Sequence, residues 1–275
     1  MPELPEVETV KKTLLKLIKD KEVESVEVCC EKMIKNVDVK LFESQLIGQS
    51  FKNIRRKGKY LLLDLNKNTI VSHLRMEGKY NFYNEITMPT KHDHIIYRFT
   101  DNTMLCYNDT RKFGTIELVG LKGEMELNSV KKLGLEPGDE KLTIKYLGIK
   151  AKRKTVTIKQ FLLDQTVITG LGNIYVDEVL FLSGINPCIR VCNIDEIQFQ
   201  KIINQSKEVI TKAIQLGGTS VHSFSVSGNV TGKFQNELNV YNRNGEKCFY
   251  CNEEIKKIKL GGRGTHYCPN CQGEK

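Results

Sequence analysis

The sequence lacks the segments that typify membrane-spanning and exported proteins. Its 275 residues contain no run of about 18 or more apolar residues, so no transmembrane helix is predicted. The first ten residues, MPELPEVETV, have neither a basic segment nor a long apolar core, and they therefore predict no signal peptide. The cytoplasm is the expected compartment.

The cysteines lack the pattern of a disulfide framework. Nine are present, an odd number, and five are scattered along the chain or adjacent: Cys29, Cys30, Cys106, Cys188 and Cys192. The other four form two C-x2-C pairs with sixteen residues between the pairs: Cys248, Cys251, Cys268 and Cys271. Two such pairs can direct four thiolates at one ion, which predicts a structural, tetrahedral zinc site with no position left to activate water. Four unrelated buried cysteines are the alternative.

The composition is that of a folded protein with a basic surface. Hydrophobic residues make up 40% and charged residues 27%, which excludes a disordered tail protein, and the length suggests about two domains. The 42 Lys and Arg residues exceed the 33 acidic residues, giving a net charge of +9. Such an excess favours a polyanionic partner, most commonly nucleic acid, although charge for solubility alone would also explain it. No polybasic block adjoins an amphipathic anchor, so a membrane surface is the weaker alternative.

The hydrophobic pattern changes twice along the chain. Apolar residues at helical spacing predict a helix over residues 5–18. Short apolar or β-branched runs separated by polar turns then predict a β-sandwich or barrel up to about residue 120. Helices are predicted at 161–164, 175–182 and 196–216. The Ser- and Gly-rich stretch 221–231 is typical of a functional lid loop. The order is therefore a β domain, a helical domain and a small metal module.

The N-terminus could supply a nucleophile. Pro2 has a small side chain of the kind that permits removal of Met1, and removal would leave a secondary amine of low basicity. Such an amine can attack an electrophilic carbon and form an iminium ion, with Glu3 as general acid or base. A Pro-Glu segment that merely leads a helix is the simpler interpretation of these residues alone.

Two glycine-rich segments could hold phosphate. Residues 260–265, LGGRGT, place glycines around Arg263, which would expose its guanidinium group at a hairpin tip. Residues 170–175, GLGNIY, lack the third glycine of a dinucleotide loop, but a helix starting there would direct backbone N–H groups and the Asn173 amide at a phosphate. A plain solvated turn and a tight helix–helix turn are the respective alternatives.

Taken together, these residues resemble the bacterial formamidopyrimidine-DNA glycosylases. The resemblance includes segments in the same order along nearly the whole chain: MPELPEVET at 1–9, RRKGKY at 55–60, HLRM at 73–76, KHDH at 91–94, DTRKFG at 109–114, GLGNIY at 170–175 and GRGT at 262–265. It implies an α+β fold with an N-terminal β-sandwich (1–120), a helix–two-turns–helix domain with the lid loop over the flipped base (121–235), and a zinc-finger β-hairpin (236–275).

The resemblance also implies an activity. The family excises oxidised purines, chiefly 8-oxoguanine and formamidopyrimidines, from double-stranded DNA after flipping the damaged nucleotide out of the stack. It implies a monomeric bifunctional glycosylase and abasic-site lyase, with one structural Zn²⁺ and no catalytic metal. Pro2 would attack C1′, Glu3 would move protons, Lys59 would lie near the reacting sugar, and Arg263 would grip the phosphates at the lesion.

Further positions match DNA-contacting residues of the family. Those that would contact phosphates or bases are His92, Arg111, Arg153 and Asn173. Those that would fill the gap left by the flipped base are Met76, Arg111 and Phe113.

Two alternatives stay open at this point. The related endonuclease-eight-like branch prefers oxidised pyrimidines, but it commonly has Gly where this chain has Leu4. A non-enzymatic zinc-finger DNA-binding protein would explain the charge and the cysteines, but it gives Pro2, Glu3 and Lys59 no task. Cleavage of 8-oxoguanine and thymine glycol duplexes separates all three.

Overall fold

The structure is a computed structural model that describes residues 2–219 and 232–273. The chain divides into two compact units. Unit 1 is Met1–Lys131 with Gly217–Gly232, and unit 2 is Lys132–Leu216 with Lys233–Lys275. The three-domain division at residues 120 and 235 stays a prediction. Within the described ranges, no helix is both long and apolar enough to cross a membrane.

The described residues of unit 1 form three α-helices and eight strands. The helices are α1 (Leu4–Ile18), α2 (Val39–Leu46) and α3 (Asn128–Lys131). The strands are β1 (Val23–Val28), β2 (Asn53–Lys57), β3 (Tyr60–Asp64), β4 (Asn68–His73), β5 (Lys79–Tyr83), β6 (Asp93–Phe99), β7 (Met104–Asn108) and β8 (Thr115–Gly120). The helix predicted over 5–18 is therefore confirmed, with its first turn one residue earlier.

The strands of unit 1 form two antiparallel four-stranded sheets that share one core. The strand orders are β1-β6-β7-β5 and β2-β3-β4-β8. Side chains from both sheets, among them Leu61, Ile70, Ile95 and Leu105, are fully buried in a single cluster. Each such aliphatic side chain contributes about 1.5–3 kcal/mol through burial. The arrangement is a β-sandwich, as the resemblance implies.

Helix α1 packs on this sandwich through the stripe that its sequence predicts. Val7, Val10, Leu14 and Ile18 lie at helical spacing and are buried in the same cluster as the strands. The helix lies against β2 and β3. The start of the chain is thereby fixed to the sheet that carries Lys59.

Where the structure describes unit 2, it has four α-helices and one β-hairpin. The helices are α4 (Ile144–Ala151), α5 (Ile158–Leu163), α6 (Asn173–Leu182) and α7 (Glu196–Gln215), and the hairpin strands are β9 (Lys256–Leu260) and β10 (Arg263–Tyr267). Helix α6 is buried on nearly all sides and packs against α5, α7 and β10. The predicted α+β class, with a sandwich, a helical region and a C-terminal hairpin, is confirmed.

Candidate active site and metal centre

The first candidate residues lie at the start of α1. Pro2 is buried, and Glu3, 3% exposed, is the N-cap of the helix. The Glu3 side chain accepts a hydrogen bond from the backbone N–H of Glu6, and the Glu3 N–H donates to the Glu6 carboxylate at 2.9 Å. This reciprocal capping box holds the backbone next to the Pro2 nitrogen in one conformation.

Glu6 also binds the segment that leads towards the predicted lid. Its Oε1 atom accepts hydrogen bonds from the Thr219 backbone N–H at 2.8 Å and from the Thr219 hydroxyl at 3.0 Å. A side chain on Gly218, whose φ is +79°, would overlap the Glu6 carboxylate. One carboxylate thus ties residues 218–219 to the capped N-terminus. The lid itself was predicted over 221–235, and residues 220–231 lie outside the described residues.

Lys59 lies in the tight turn between β2 and β3. Lys57 pairs with Tyr60 across the hairpin, so the turn consists of Gly58, with φ +55°, and Lys59. The Arg56 guanidinium donates to the Gly58 carbonyl and to Glu8 of α1, both at 2.9 Å. Lys59 is only 5% exposed. The Arg56 hydrogen bonds therefore stabilise a turn that carries a largely buried lysine, on the sheet against which α1 packs.

A neutral histidine adjoins this lysine. His73 pairs with Tyr60 across β3 and β4, and its ring lies edge-on to the Tyr60 ring at 4.5 Å. Burial, reinforced by the positive charges of Arg75 and Lys59, lowers the pKa of His73 to about 3. Its Nδ1 atom accepts the backbone N–H of Arg75 at 3.0 Å, which requires the unprotonated nitrogen. His73 therefore fixes the start of the loop that carries Met76 without adding charge.

The lowered pKa of His73 makes stability depend on pH. Unfolded His73 takes up a proton near pH 6.5 whereas folded His73 does so only near pH 3, so its contribution is complete above pH 6.5 and is lost as the pH falls towards 3. Between pH 7 and pH 5 this loss is about 2 kcal/mol. We expect His73→Asn, whose Oδ1 can accept the Arg75 N–H, to remove that part of the pH dependence.

Urea unfolding at several pH values measures this pH dependence of the free energy of unfolding. Circular dichroism is the signal, because the chain has no tryptophan whose fluorescence could be followed. The other titrating groups are common to both proteins and cancel in the comparison. Equal pH dependence in the two proteins would contradict the assignment of His73.

The predicted gap-filling residues lie in two surface loops of unit 1. Met76 is exposed between β4 and β5, and Arg111 and Phe113 are exposed between β7 and β8. The Arg111 guanidinium lies over the Phe113 ring, 4.8 Å from its centroid. Buried Asp109 organises this loop by accepting backbone N–H groups of Arg111 and Phe113 at 2.9 Å and of Gly114 at 2.8 Å.

His92 lies beside the same loop. Its carbonyl accepts the Asp109 N–H at 3.0 Å, and its side chain is half-buried just before β6. The next residue, buried Asp93, binds the backbone and hydroxyl of Thr90 at 2.7 and 2.8 Å and the Asn108 amide at 2.9 Å. Two buried carboxylates thus hold the loops that present His92, Arg111 and Phe113.

In unit 2, Asn173 is the first residue of α6 and binds the finger hairpin. Its side-chain amide donates to the Gly264 carbonyl at 2.9 Å. The same carbonyl accepts from the fully buried Lys159 ammonium at 3.1 Å, and Lys159 pairs with Asp177 of α6 at 2.6 Å. The other oxygen of Asp177 accepts the backbone N–H of His266 at 2.9 Å.

The finger arginine follows the turn of that hairpin. Gly261 and Gly262, with φ of +56° and +76°, form the two-residue turn between β9 and β10, a conformation that glycine adopts without strain. Arg263 is the first residue of β10 and is exposed, one residue from the Gly264 carbonyl that Lys159 and Asn173 hold. Arg153 lies elsewhere in unit 2, exposed after α4 with a φ of +64°.

The four predicted metal ligands converge. The sulfurs of Cys248 and Cys271 are 3.8 Å apart, those of Cys251 and Cys268 are 3.4 Å apart, and all four lie within 4.8 Å of one another. A tetrahedron with Zn–S bonds of about 2.3 Å places its sulfurs about 3.8 Å apart, so the cluster fits one zinc ion. All four ligand positions are sulfur, and the zinc is structural.

Some residues of the site were not foreseen from the sequence. Glu6, Lys159 and Asp177 each hold a segment that carries a candidate residue. The spacing Glu3-x-x-Glu6 is a recognisable capping pattern and could have been found. Lys159 and Asp177 have no local sequence signal, because the hairpin groups that they bind are distant in sequence. Gly264 is 105 residues from Lys159, and His266 is 89 residues from Asp177.

A two-sheet unit with a capped, buried N-terminus, in one chain with a helical unit and a four-cysteine hairpin, is the architecture of a zinc-finger DNA glycosylase. Three family models match: the formamidopyrimidine-DNA glycosylase N-terminal domain at residues 1–116, its H2TH domain at 133–225, and the zinc finger found in FPG and IleRS at 245–273. The chain belongs to the formamidopyrimidine-DNA glycosylase family.

Relatives named formamidopyrimidine-DNA glycosylase match over the full length. One from Listeria monocytogenes is 43% identical, covering 99% of this chain and 100% of the relative, and one from Lactobacillus helveticus is 46% identical, covering 99% of each. Among solved structures, the Lactococcus lactis Fpg bound to DNA with an abasic site is 42% identical, with a TM-score of 0.92 over 99% of this chain and 100% of that one. A mutant of the same protein in complex with DNA containing Fapy-dG gives the same TM-score, identity and coverage.

Proposed function

We propose that this protein is a base-excision repair enzyme that removes 8-oxoguanine and formamidopyrimidines from double-stranded DNA and then cleaves the abasic strand. The observation that carries the proposal is the full-length likeness, at a TM-score of 0.92, to a protein solved with Fapy-dG DNA and with abasic-site DNA. The capped Pro2-Glu3 terminus supports the proposal, because it would supply an amine and a carboxyl group for such a reaction. The bacterial cytosol is the compartment in which we propose it acts.

In the proposed reaction, Pro2 is the nucleophile. Once Met1 is removed, the proline nitrogen is a secondary amine that attacks C1′ of the damaged nucleotide. The bond between C1′ and the base breaks, and the base leaves with a proton. Protonation of O4′ then breaks the C1′–O4′ bond, which opens the sugar and leaves C1′ as an iminium ion on Pro2. The iminium acidifies C2′, and loss of that proton expels the 3′ phosphate. A second elimination expels the 5′ phosphate and leaves a one-nucleotide gap.

Three side chains would assist Pro2. Glu3, at the adjacent residue, would donate and accept the protons that the opening sugar exchanges, since its carboxyl group is fixed by the helix cap. Lys59, held in the braced β2–β3 turn, would place a positive charge close to the sugar and its phosphates. Arg263 would bind the phosphates at the lesion and assist the second elimination through its guanidinium group.

The remaining candidate residues would bind and distort the duplex. We propose that positive and polar groups grip phosphates or bases, namely His92, Arg111, Arg153 and Asn173. Met76, Arg111 and Phe113 would fill the space left by the extruded nucleotide. The stacked Arg111–Phe113 pair suits that task, because it presents a flat apolar face and a charge that can reach a base.

Oxidised pyrimidines are a second candidate substrate class. The Lactococcus lactis Fpg has also been solved with DNA containing an oxidised pyrimidine, and that structure has a TM-score of 0.90 and 41% identity to this chain. The comparison of 8-oxoguanine and thymine glycol duplexes therefore measures a preference between two plausible lesions.

The decisive experiment is borohydride trapping on a duplex with one 8-oxoguanine opposite cytosine, followed by peptide mass spectrometry. We expect a DNA adduct on an N-terminal Pro2 that has lost Met1, because only a free amine can form the reducible iminium. A form that retains Met1 is the matched control and should give no adduct on Pro2, since its Pro2 nitrogen is an amide.

Each other outcome is informative. An adduct on a lysine such as Lys59 would show a lyase with a different nucleophile. Trapping on thymine glycol alone would assign the protein to the pyrimidine-preferring branch. DNA binding with no adduct on either duplex would leave a non-enzymatic DNA-binding protein.

A further inference from the structure

We propose that Tyr107 is a positioning residue that sets the distance between the two loops carrying Met76 and the Arg111–Phe113 pair. This inference rests on the proposed function, in which those side chains enter the duplex together. The Tyr107 phenol is buried in the sandwich and would act on the DNA only through these two loops, without contacting the DNA itself.

The Tyr107 hydroxyl lies between two glycines from the two loops. Tyr107 belongs to β7 and is fully buried. A Cβ atom on either Gly78 or Gly114 would overlap the hydroxyl oxygen, and it would lie only 3.0 Å or 2.7 Å, respectively, from Cζ of the same ring. Both glycine backbones therefore contact one phenol, and the hydroxyl oxygen is the nearest atom to the position of a Cβ at each glycine.

Each glycine is closely coupled to the residues that would enter the DNA. Gly78 lies two residues after Met76, and its N–H donates to the Leu74 carbonyl at 2.9 Å, which closes the turn around Met76. Gly114 directly follows Phe113, and its N–H donates to Asp109 at 2.8 Å. Because each loop is closed internally by its own hydrogen bond, a shared contact at the two glycines transmits one loop's position to the other.

The phenol itself is held in place. The Tyr80 ring packs edge-on against Tyr107 at 5.2 Å, and the Tyr80 hydroxyl donates to Ser72 at 2.8 Å. The Tyr107 hydroxyl, in contrast, has no hydrogen-bond partner among the described residues. An unpaired buried hydroxyl costs stability, and phenylalanine would fill the same ring volume without that cost. The hydroxyl oxygen is therefore a spacer: it lies between Gly78 and Gly114 and keeps the two glycines apart.

The chain offers a closely matched control. Tyr97 lies in β6, the strand next to β7 in the same sheet, is 1% exposed, and also has an unpaired hydroxyl among the described residues. Its hydroxyl is not among the nearest atoms to either glycine. Tyr97→Phe therefore repeats the change in burial and polarity of Tyr107→Phe without altering the contact between the loops.

We expect both variants to fold and to melt at or above the wild-type temperature. Only Tyr107→Phe should slow single-turnover excision of 8-oxoguanine from a duplex, by between about tenfold and a hundredfold, since misplacement by an ångström can cost that much. Cleavage of an abasic site in a single-stranded oligonucleotide should be unchanged in both variants, because no base is extruded and no gap is filled.

Three results would overturn the proposal. Equal excision rates for Tyr107→Phe and Tyr97→Phe would show that the hydroxyl has no positioning role. Equal slowing on duplex and single-stranded substrates would show a general loss of structure. Wild-type protein that cleaves neither substrate would refute the proposed function, and the positioning role with it.

A second variant tests the contact itself. Gly114→Ala places a methyl group against the Tyr107 hydroxyl and should slow duplex excision. In a Tyr107→Phe background the overlap with the oxygen is removed and only the close contact with Cζ remains, so the added loss from Gly114→Ala should be smaller. Identical losses from Gly114→Ala in the two backgrounds would show that the hydroxyl and this loop act independently.

Discussion

Replacing Glu3 with glutamine should slow the release of 8-oxoguanine by about 10²- to 10⁴-fold, the usual contribution of a positioned general acid or base. Glutamine keeps an oxygen that can accept the Glu6 N–H, so the cap of α1 survives. What is lost is the ability of residue 3 to donate and accept a proton. Single-turnover excision at saturating protein concentration measures this loss apart from binding.

The controls separate catalysis from charge and folding. Glu24→Gln removes the same charge from an exposed position on β1 and should leave excision unchanged. Affinity of Glu3→Gln for a duplex with a non-cleavable abasic analogue should match the wild type, because the finger and the loops proposed to contact DNA are intact. A wild-type excision rate in Glu3→Gln would remove Glu3 from the proposed mechanism.

The elements with local signatures were predictable from the sequence. The apolar spacing of Val7, Val10 and Leu14 predicts α1, and the short apolar or β-branched runs predict β3, β4, β6 and β7. The pairing of strands was not predictable. β4 pairs with β8 across more than forty intervening residues, and β1 pairs with β6 in the other sheet. Such pairings depend on how two sheets share one core, which no local period encodes.

The site residues also divide into those that local sequence predicts and those that it does not. The four cysteines were predictable because metal geometry constrains their spacing within a short segment. Pro2, Glu3 and Lys59 could be singled out as a set only through the family resemblance, since a Pro-Glu helix start and a lysine in a turn are common features. The contact of Glu6 with Thr219 joins residues 213 apart in sequence, and only the fold brings them together.

The zinc finger depends on its metal because its own core is small. The cluster at the finger has five buried residues, but Phe181 belongs to α6, and two of the other four are the ligands Cys248 and Cys268. Its hairpin has two strands of five residues each, which is marginal in water without further support. Zinc binding supplies about 10 kcal/mol or more of folding free energy to such modules. The metal therefore decides whether β9 and β10 are formed.

Unfolding of the finger would also remove hydrogen bonds that support α6. The hairpin supplies the Gly264 carbonyl to Lys159 and to Asn173, and the His266 N–H to Asp177. Without these partners, the fully buried Lys159–Asp177 ion pair would lose hydrogen bonds that offset the free-energy cost of its desolvation. Asn173, at the start of α6, would lose the contact that orients its amide. One metal ion thus supports both Arg263 and the helix start.

We therefore expect Cys268→Ser, or zinc removal by a chelator, to unfold the hairpin and abolish measurable strand cleavage. Affinity for an abasic-analogue duplex should fall by at least about 10- to 100-fold, the equivalent of one lost charged hydrogen bond to phosphate. Hydrogen–deuterium exchange should accelerate in β9 and β10 while the strands of unit 1 stay protected. Cys192→Ser, at an exposed cysteine outside the finger, is the matched control and should retain one zinc per chain. Slow exchange of the hairpin in zinc-free protein would show that β9 and β10 fold without the metal, and the coupling from zinc through Gly264 to Asn173 would then be wrong.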